Sequence, residues 1–255
     1  MKILTLNTWG GRAGKEGLLS FIAEQKKTVD VFCLQEMWSA SYAHLGEYMA
    51  GGVDMSKVEI MDHGVQEIRA LLDDYQTFFH PHHGDNYGLL TFVRNEIEVQ
   101  ETGEVFVYKY KGHVPTGDVG NHARNIQYVK IVHDGEPLYV LNFHGLWNGK
   151  GKTDSEDRIN QSNKAVLFIQ GLQGEVVFCG DFNLLPDTQS IKILEDAGLR
   201  NLIRENNIKS TRTSLYTKPE KFADYVFVSK GVEVKKFVVL HDEVSDHAPL
   251  VVEIE

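Results

Sequence analysis

Short apolar runs typical of buried β-strands recur along the whole chain, and five of them stop or start at a residue that can bind a metal or carry a proton. The runs LTLN, VFCLQE, VLNFH, VVFCGDFN and SDHAPLVVEI carry, in order, Asn7, Glu36, His144, Asp181 with Asn183, and Asp246 with His247. A buried strand that ends in such a group places it at a sheet edge, where open α/β layers hold their ligands. The recurrence predicts that these side chains meet in one site.

Length and composition indicate one globular domain over residues 1–255. The chain has 42% hydrophobic and 24% charged residues, and a chain of this length buries a core without disulfide staples. Cys33 and Cys179 lie inside apolar runs, where free thiols behave as small hydrophobic groups. The start MKILTLNTWGG lacks the apolar region of a signal peptide, and no run approaches the roughly 18 apolar residues of a membrane span. We therefore expect a cytoplasmic monomer without stable membrane association.

The net charge of the chain argues against direct binding of many phosphate groups. The 36 acidic and 26 basic residues give a formal charge of −10, so the basic footprint of a duplex-binding protein is missing. An acidic protein can still bind an anionic substrate through a divalent cation, because the charge of the ion dominates the local field.

The hydrophobic pattern alternates between strand-like and helix-like segments. It predicts a strand over 2–7, a helix over 15–25 and a strand over 29–36, and a 3.6-residue stripe makes residues 39–74 look mostly helical. Short strands follow within 75–139, at 87–94, 96–108 and 124–133, and then a helix over 154–171 that Thr153 or Asp154 caps. The units ILTLN to VFCLQE and YVLNFH to VVFCGD form a faint repeat. Packed face to face, two such units predict a four-layer sandwich with a cleft at one end.

The polar residues at these strand ends match the parts that phosphoester hydrolysis needs. Glu36 follows an apolar strand and has no basic neighbour, which suits a ligand of Mg²⁺. Asp181 and Asn183 at positions i and i+2 place a base beside an amide donor. Asp224 is the candidate partner that holds the His247 imidazole in one tautomer and keeps it protonated.

Six motifs in order, LNTWGGR, LQE, NFHG, GDFN, ADYVFVS and SDHAPL, resemble those of the endonuclease/exonuclease/phosphatase superfamily, which has the deoxyribonuclease I-like fold. The resemblance implies an α/β/β/α sandwich of two packed mixed sheets and a phosphoesterase that depends on Mg²⁺ or Mn²⁺. It implies that Glu36, Asn7 and Asp246 lie at the metal. The catalytic residues it implies are Asp181 as base, Asn183, His247 paired with Asp224, and His144 at the phosphate.

The resemblance leaves the substrate open. We expect a nuclease that hydrolyses phosphodiester bonds, with a phosphatase or a sphingomyelinase-like phospholipid phosphodiesterase as the alternative. Abasic-site endonucleases of this superfamily carry Lys after a Q-E-x, where this chain has Met37 and Trp38, so abasic-site specificity is not expected. A non-catalytic binding protein on the same fold is the alternative from another class, and a serine hydrolase is disfavoured because the chain contains no G-x-S-x-G.

Several further segments could form the walls of the cleft. Trp9, Trp38 and Trp147 lie close in sequence to proposed site residues and could form an apolar wall. Three basic loops, at 108–113, 149–152 and 209–221, could contact phosphates, and their tyrosines could stack on bases. The run HPHHG at 80–84 is interpreted as a substrate-facing loop in preference to a zinc site, since it lacks a helical i, i+4 pair of histidines.

Overall fold

Two six-stranded mixed β-sheets form the centre of the protein, and the computed structural model describes residues 1–255. The first sheet contains, in spatial order, β13 (Val234–Val239), β14 (Leu250–Ile254), β1 (Lys2–Asn7), β2 (Val31–Trp38), β6 (Tyr87–Arg94) and β5 (Tyr75–His83). The second contains β11 (Arg200–Asn201), β12 (Asp224–Val228), β10 (Glu175–Asp181), β9 (Glu136–His144), β8 (Arg124–His133) and β7 (Val99–Tyr108). A separate two-stranded hairpin pairs β3 (Met49–Ala50) with β4 (Val53–Asp54).

Five helices cover the outer faces of the two sheets. They are α1 (Lys15–Gln25), α2 (Gly64–Leu71), α3 (Glu156–Gln170), α4 (Gln189–Asp196) and α5 (Leu202–Glu205). Successive side chains of a strand point to opposite faces, and β1 shows the result: Leu4 and Leu6 pack in the cluster with α1 and α2, whereas Ile3 packs in the larger cluster with the second sheet. The predicted four-layered α/β/β/α sandwich is confirmed. None of its helices has the length and apolarity that a bilayer crossing requires.

The predicted internal repeat corresponds to two parallel strand pairs, one in each sheet. β1 pairs in parallel with β2, with α1 between them in the chain, and β9 pairs in parallel with β10, with α3 between them. Parallel strands need such a crossover connection, and their carboxyl ends meet at the same edge of the sheet. Each sheet therefore presents two strand ends at one common rim.

A ladder of buried amides joins the two sheets beneath this rim. Gln35 Nε2 donates to Asn142 Oδ1 at 2.7 Å, and Asn142 Nδ2 reaches Gln127 Oε1 at 3.3 Å. Thr91 Oγ1 donates to the same Gln127 oxygen at 2.8 Å. All four residues are buried, where unpaired amides would each cost about 1–3 kcal/mol. The Gln35–Asn142 and Thr91–Gln127 hydrogen bonds cross between the sheets, and the Asn142–Gln127 bond links them within the second sheet. Together they fix how the sheets align.

The expectation of a mostly helical segment over residues 39–74 is wrong. Only α2 forms there; the rest consists of short 3-10 turns and the β3–β4 hairpin. The stripe that suggested a helix extends only over α2, whose buried residues are Gly64, Val65 and Ile68. Gly51 and Gly52, with φ of 60° and 83°, form the turn of the hairpin, since glycine adopts positive φ without strain.

Two smaller expectations also differ from the structure. The helix predicted over 154–171 is α3, but its N-cap is Ser155, whose side chain accepts a hydrogen bond from Arg158 N. The HPHHG run is not a loop: His80, His82 and His83 belong to β5, which has an irregular register between Pro81 and His83. That irregularity changes the direction of the last side chains of the strand.

Candidate active site

The strand ends named by the sequence converge on one cleft of about 190 Å³ at the rim of the two sheets. The first sheet contributes Glu36 from β2, and Asp246 and His247 from the turn before β14. The second sheet contributes His144 from β9 and Asp181 from β10, with Asn183 just beyond. Asn7, at the end of β1, and Asp224, at the start of β12, lie behind this lining and hydrogen-bond to it. All eight predicted residues are therefore brought together.

The Asp181 carboxylate lies at the centre of the cluster. Its Oδ2 accepts a hydrogen bond from Asn7 Nδ2 at 2.9 Å and lies 3.6 Å from His247 Nε2 and 3.7 Å from His144 Nε2. Its Oδ1 accepts from the backbone N–H of Asn183 at 2.8 Å. Burial alone would raise the pKa of Asp181, but the positive charge of His247, together with those of Lys152 and Arg212, outweighs it and holds the pKa below its ordinary value. The group is thus a carboxylate that can accept a proton.

Strained backbone shapes the two strand ends that carry the carboxylates. Glu36 has φ of 58° and lies where the pairing of β2 with β6 shifts register between Leu34 and Met37. Asn183, just beyond Asp181, has φ of 54°. A non-glycine residue in the left-handed region costs about 1–3 kcal/mol, and such residues cluster at functional sites. Here the strained residues are those that aim side chains into the cleft.

A buried aspartate orients the His247 imidazole. Both oxygens of Asp224 lie within hydrogen-bond distance of His247 Nδ1, at 2.8 and 2.9 Å. Burial, and secondly the charge of Arg212, would lower the pKa of His247, but Asp224, Asp246 and Asp181 together raise it above its ordinary value. Nε2 of a protonated His247 therefore points a proton at the cleft, next to Asp181.

A second group of imidazoles, around His144, has no carboxylate partner of this kind. His144, His82 and His122 are buried, with His82 and His122 stacked at 4.9 Å between ring centroids. Burial, and then the charge of Arg124, lowers the pKa of His82 to about 3 and holds those of His144 and His122 well below the ordinary value. These rings are neutral at pH 7.

Glu36 and Asp246 provide oxygens that suit a hard divalent cation. The Glu36 side chain is 20% exposed and has Asn7 as its hydrogen-bond donor, at 3.1 Å, with no Lys or Arg within 4 Å. Asp246 Oδ2 pairs with Arg212 at 3.0 Å, while its Oδ1 is buried without a hydrogen-bond partner. Carboxylate oxygens of this kind are the ligands that Mg²⁺ and Mn²⁺ prefer. The donor set fits the expected ion.

Two other groupings fit a cation less well. Ligand atoms of Asp181, Asp224 and His247 lie within 4.8 Å of one another, but the hydrogen bonds of Asp224 to His247 already account for that cluster. Asn7 was expected at the metal; its amide oxygen instead accepts from Trp9 N at 2.9 Å, and its NH₂ group donates to Glu36 and Asp181. Asn7 in this structure holds the two carboxylates together.

The cleft walls contain three tryptophans and several cations. Trp9, Trp38 and Trp147 all line the cleft, as the sequence suggested. Two of the three basic loops contribute side chains, whereas no residue of the 108–113 loop lines it. The cationic residues at the lining are Arg12, Arg124, Lys152, Arg212 and Lys218. The sequence did not single out Arg12, Arg124 or the individual members of the loops, because only the fold shows which basic side chains turn inward.

Comparisons with known proteins agree with this architecture. The sequence model of the Endonuclease/Exonuclease/phosphatase family matches residues 4–247, whereas a search of curated proteins found no match. A mannosyl-6-phosphatase from Bacteroides thetaiotaomicron is 18% identical, with a TM-score of 0.75 over 100% of this chain and 99% of that one. A family protein from Leptotrichia buccalis is 19% identical, with a TM-score of 0.73 over 100% and 99%.

A third solved structure, TDP2 of D. rerio in complex with single strand DNA product, is 18% identical, with a TM-score of 0.68 over 100% of this chain and 98% of that one. At these identities the likeness between structures shows a common fold. The family match, by contrast, extends from the first strand to the histidine of the final motif, and it includes Glu36, Asp181 and His247. The chain therefore belongs to the Endonuclease/Exonuclease/phosphatase family.

Proposed function

We propose that the protein hydrolyses phosphoesters with the help of Mg²⁺ or Mn²⁺, by attack of a water molecule that Asp181 deprotonates. The observation that carries this proposal is the position of Asp181 Oδ2, a buried carboxylate oxygen within 4 Å of two imidazole nitrogens and hydrogen-bonded to Asn7. Family members are hydrolases that act on phosphoesters, so the general chemistry comes with the family.

Each side chain of the cluster has a distinct task in this proposal. Asp181, kept ionised by its neighbours, takes the proton of the attacking water, and Asn183 orients that water or the phosphate. His247, protonated and held by Asp224, donates to a nonbridging oxygen as negative charge increases there. His144, neutral in its buried position, is a further contact to the phosphate.

Glu36 and Asp246 would hold the divalent cation. When bound, such an ion withdraws charge from the phosphoryl oxygens and stabilises the transition state. Arg212 pairs with one oxygen of Asp246 and stacks over Tyr216 at 4.0 Å, so it fixes the orientation of that carboxylate. Asn7 fixes Glu36 in the same way through its hydrogen bond at 3.1 Å.

The local charge of the cleft supports an anionic substrate despite the acidic character of the chain. Three carboxylates line the cleft, those of Glu36, Asp181 and Asp246, against five Lys and Arg side chains. The net excess of positive side chains attracts an anionic ligand and raises its local concentration. With a divalent cation bound, the positive excess increases further.

The shape of the cleft bears on the choice between nuclease and phosphatase. A space of about 190 Å³ under the β3–β4 hairpin, whose Ala50, Gly51 and Val53 contribute to the lining, suits a chain end or a small molecule better than a continuous duplex. We propose cleavage of phosphodiesters at single-stranded ends as the first candidate. Hydrolysis of a small phosphomonoester is the second, favoured by the small volume of the cleft. One protein of this fold, from Bacteroides thetaiotaomicron, is a mannosyl-6-phosphatase.

A substrate panel with metal removal tests the proposal. Purified protein would be assayed on single-stranded oligonucleotides, plasmid, sugar phosphates and sphingomyelin in Mg²⁺, in Mn²⁺ and in EDTA. We expect turnover of oligonucleotides or sugar phosphates that EDTA abolishes and added Mg²⁺ restores. Turnover that EDTA leaves unchanged, or that Asp181→Asn leaves unchanged, would contradict the mechanism, and no turnover on any substrate would favour a binding protein.

A further inference from the structure

Lys152 is a buried lysine whose amine faces the cleft without a partner. The residue is 2% exposed, and its Nζ has no hydrogen-bond acceptor although Lys152 lines the cleft. Lysines are almost never fully buried unless they are paired. An unpaired ammonium in this position is costly, so its burial requires a structural or functional reason.

Hydrogen bonds fix the backbone on both sides of Lys152. The buried Arg158 guanidinium donates to the carbonyls of Gly151 at 2.7 Å and Leu146 at 3.3 Å, and it also reaches that of Thr153. The carbonyl of Lys152 itself accepts from Leu185 N at 2.9 Å. Because the chain is fixed on both sides of the residue, the amine is held in the cleft.

The surroundings of the amine are aromatic and cationic. Nζ lies 5.4 Å from the centre of the Tyr216 ring, which Arg212 also covers, and it has no hydrogen-bond partner among the carboxylates of the cleft. Lys218 Nζ lies 5.3 Å from the Trp147 ring on the same side of the cleft. Burial lowers the pKa of the Lys152 amine to about 8, against the attraction of Asp181. The Lys152 ammonium could therefore bind a negatively charged group of the substrate in this part of the cleft.

We propose that Lys152 binds a second phosphate group of the substrate, one that lies beyond the scissile phosphoester. The inference rests on the proposed function, since it assumes that the scissile group occupies the space between Asp181, His144 and His247. Those two imidazoles lie within 4 Å of Asp181 Oδ2, whereas Lys152 has no carboxylate at that distance. Lys152 Nζ therefore lies farther from Asp181 than the two imidazoles do, although it feels the charge of that carboxylate. We assign it to substrate specificity, outside the catalytic group.

A matched pair of substrates tests this assignment by turnover. The p-nitrophenyl ester of thymidine 5′-monophosphate would be compared, with and without a 3′-phosphate, on wild type and Lys152→Met. We expect the substitution to raise KM about 10- to 100-fold for the compound with the additional phosphate, the range for a lost hydrogen bond to a charged group, while kcat and the other compound change little. The control is Lys150→Met, an exposed lysine of the same loop.

Equal loss of kcat on both compounds would overturn the proposal, because Lys152 would then act on the scissile ester. Unchanged kinetics on both would also overturn it. A urea unfolding curve for Lys152→Met separates a lost contact from a lost fold.

A binding measurement keeps the test independent of turnover. Calorimetry in Mg²⁺ would compare methylenediphosphonate with methylphosphonate, neither of which the enzyme can hydrolyse as an ester. We expect wild type to prefer the diphosphonate about tenfold or more and Lys152→Met to lose that preference. Equal affinity of wild type for the two ligands would overturn the proposal, whereas absence of turnover with this preference intact would count against the proposed function alone.

Discussion

His247 and His144 lie at nearly the same distance from one carboxylate oxygen, yet their environments make one ring cationic and leave the other neutral. His247 Nε2 is 3.6 Å from Asp181 Oδ2 and His144 Nε2 is 3.7 Å from it. His247 has Asp224 on its other nitrogen, and the surrounding carboxylates raise its pKa. His144 has no such partner: its Nδ1 is buried without a hydrogen bond, and burial and the charge of Arg124 lower its pKa.

The difference shows that the environment of Nδ1 in each ring determines whether Nε2 can donate a proton to the substrate. A carboxylate behind the ring makes Nε2 a permanent donor, whereas an unpaired nitrogen beside an arginine leaves the ring neutral. Two histidines thus provide the substrate with one cationic contact, from His247, and one neutral contact, from His144. The following substitutions test that division of tasks.

Asp181→Asn should have the largest effect, because it removes the group that both imidazoles share. We expect kcat to fall about 10³- to 10⁴-fold, toward the upper range for loss of a general base. The measurement is steady-state turnover in saturating Mg²⁺, with the fold checked by circular dichroism. A loss below tenfold would show that another group activates the water.

His247→Asn and His144→Asn compare the two sides directly. We expect about 10²- to 10³-fold loss of kcat for His247, the cost of removing one donor to developing charge, and about tenfold for the neutral His144. Both would be measured on one substrate at one pH. Equal losses for the two variants would contradict the assignment of charge to His247.

Asp224→Asn should weaken the cationic side while leaving His144 untouched. The amide keeps the size of the carboxylate but removes the charge that favours the protonated ring, so we expect kcat to fall about 10- to 100-fold. The double variant Asp224→Asn with His247→Asn should be no worse than His247→Asn alone, because Asp224 acts through that ring. Additive losses would mean that Asp224 has a separate role.

His82→Gln should have the smallest effect, on stability alone and only in acid. Burial and the charge of Arg124 lower the folded pKa of His82 to about 3, against 6.5 in the unfolded chain, so the stabilisation is complete above pH 6.5 and is lost as the pH falls. At pH 5 the loss from this one group is about 2 kcal/mol.

Urea unfolding of metal-free protein at pH 7 and pH 5 measures this loss. We expect the difference between the two pH values to shrink by about 2 kcal/mol in His82→Gln and to stay unchanged in His241→Gln, an exposed histidine. An unchanged difference in His82→Gln would show that His82 is not held neutral by its burial.

Short apolar strands with clear ends were the part of the fold that the sequence predicted well. Residues 2–7, 87–94 and 124–133 form strands with the predicted bounds, and α1 also has its predicted bounds. The segment 39–74 was wrong because contacts from distant residues determine its shape. Trp147 Nε1 donates to Gly51 O, and the Asp118 carboxylate accepts from the N–H groups of Gly51 and Gly52. No local pattern contains that information.

The candidate site shows the same division between local and distant information. Residues at strand ends were identified because a polar group after an apolar run is visible in the sequence. From the sequence, Lys152 and Arg212 could be named only as members of basic loops. The inward direction of Lys152 depends on the backbone contacts of Arg158, and that of Arg212 on stacking with Tyr216. The roles of the site residues, the cytoplasmic location and the monomeric state stay predictions.

The amide ladder from Gln35 through Asn142 to Gln127 controls how precisely the site residues of the two sheets are positioned at the rim. The burial of apolar side chains between two sheets is non-directional, so it does not by itself select one alignment of the sheets. Hydrogen bonds between paired amides accept a single alignment. Because Glu36 and Asp181 lie on different sheets, the separation between the cation ligand and the base is set directly beneath them, by Gln35 next to Glu36 and by Asn142 on the strand beside Asp181. Both side chains are buried and lie outside the cleft lining.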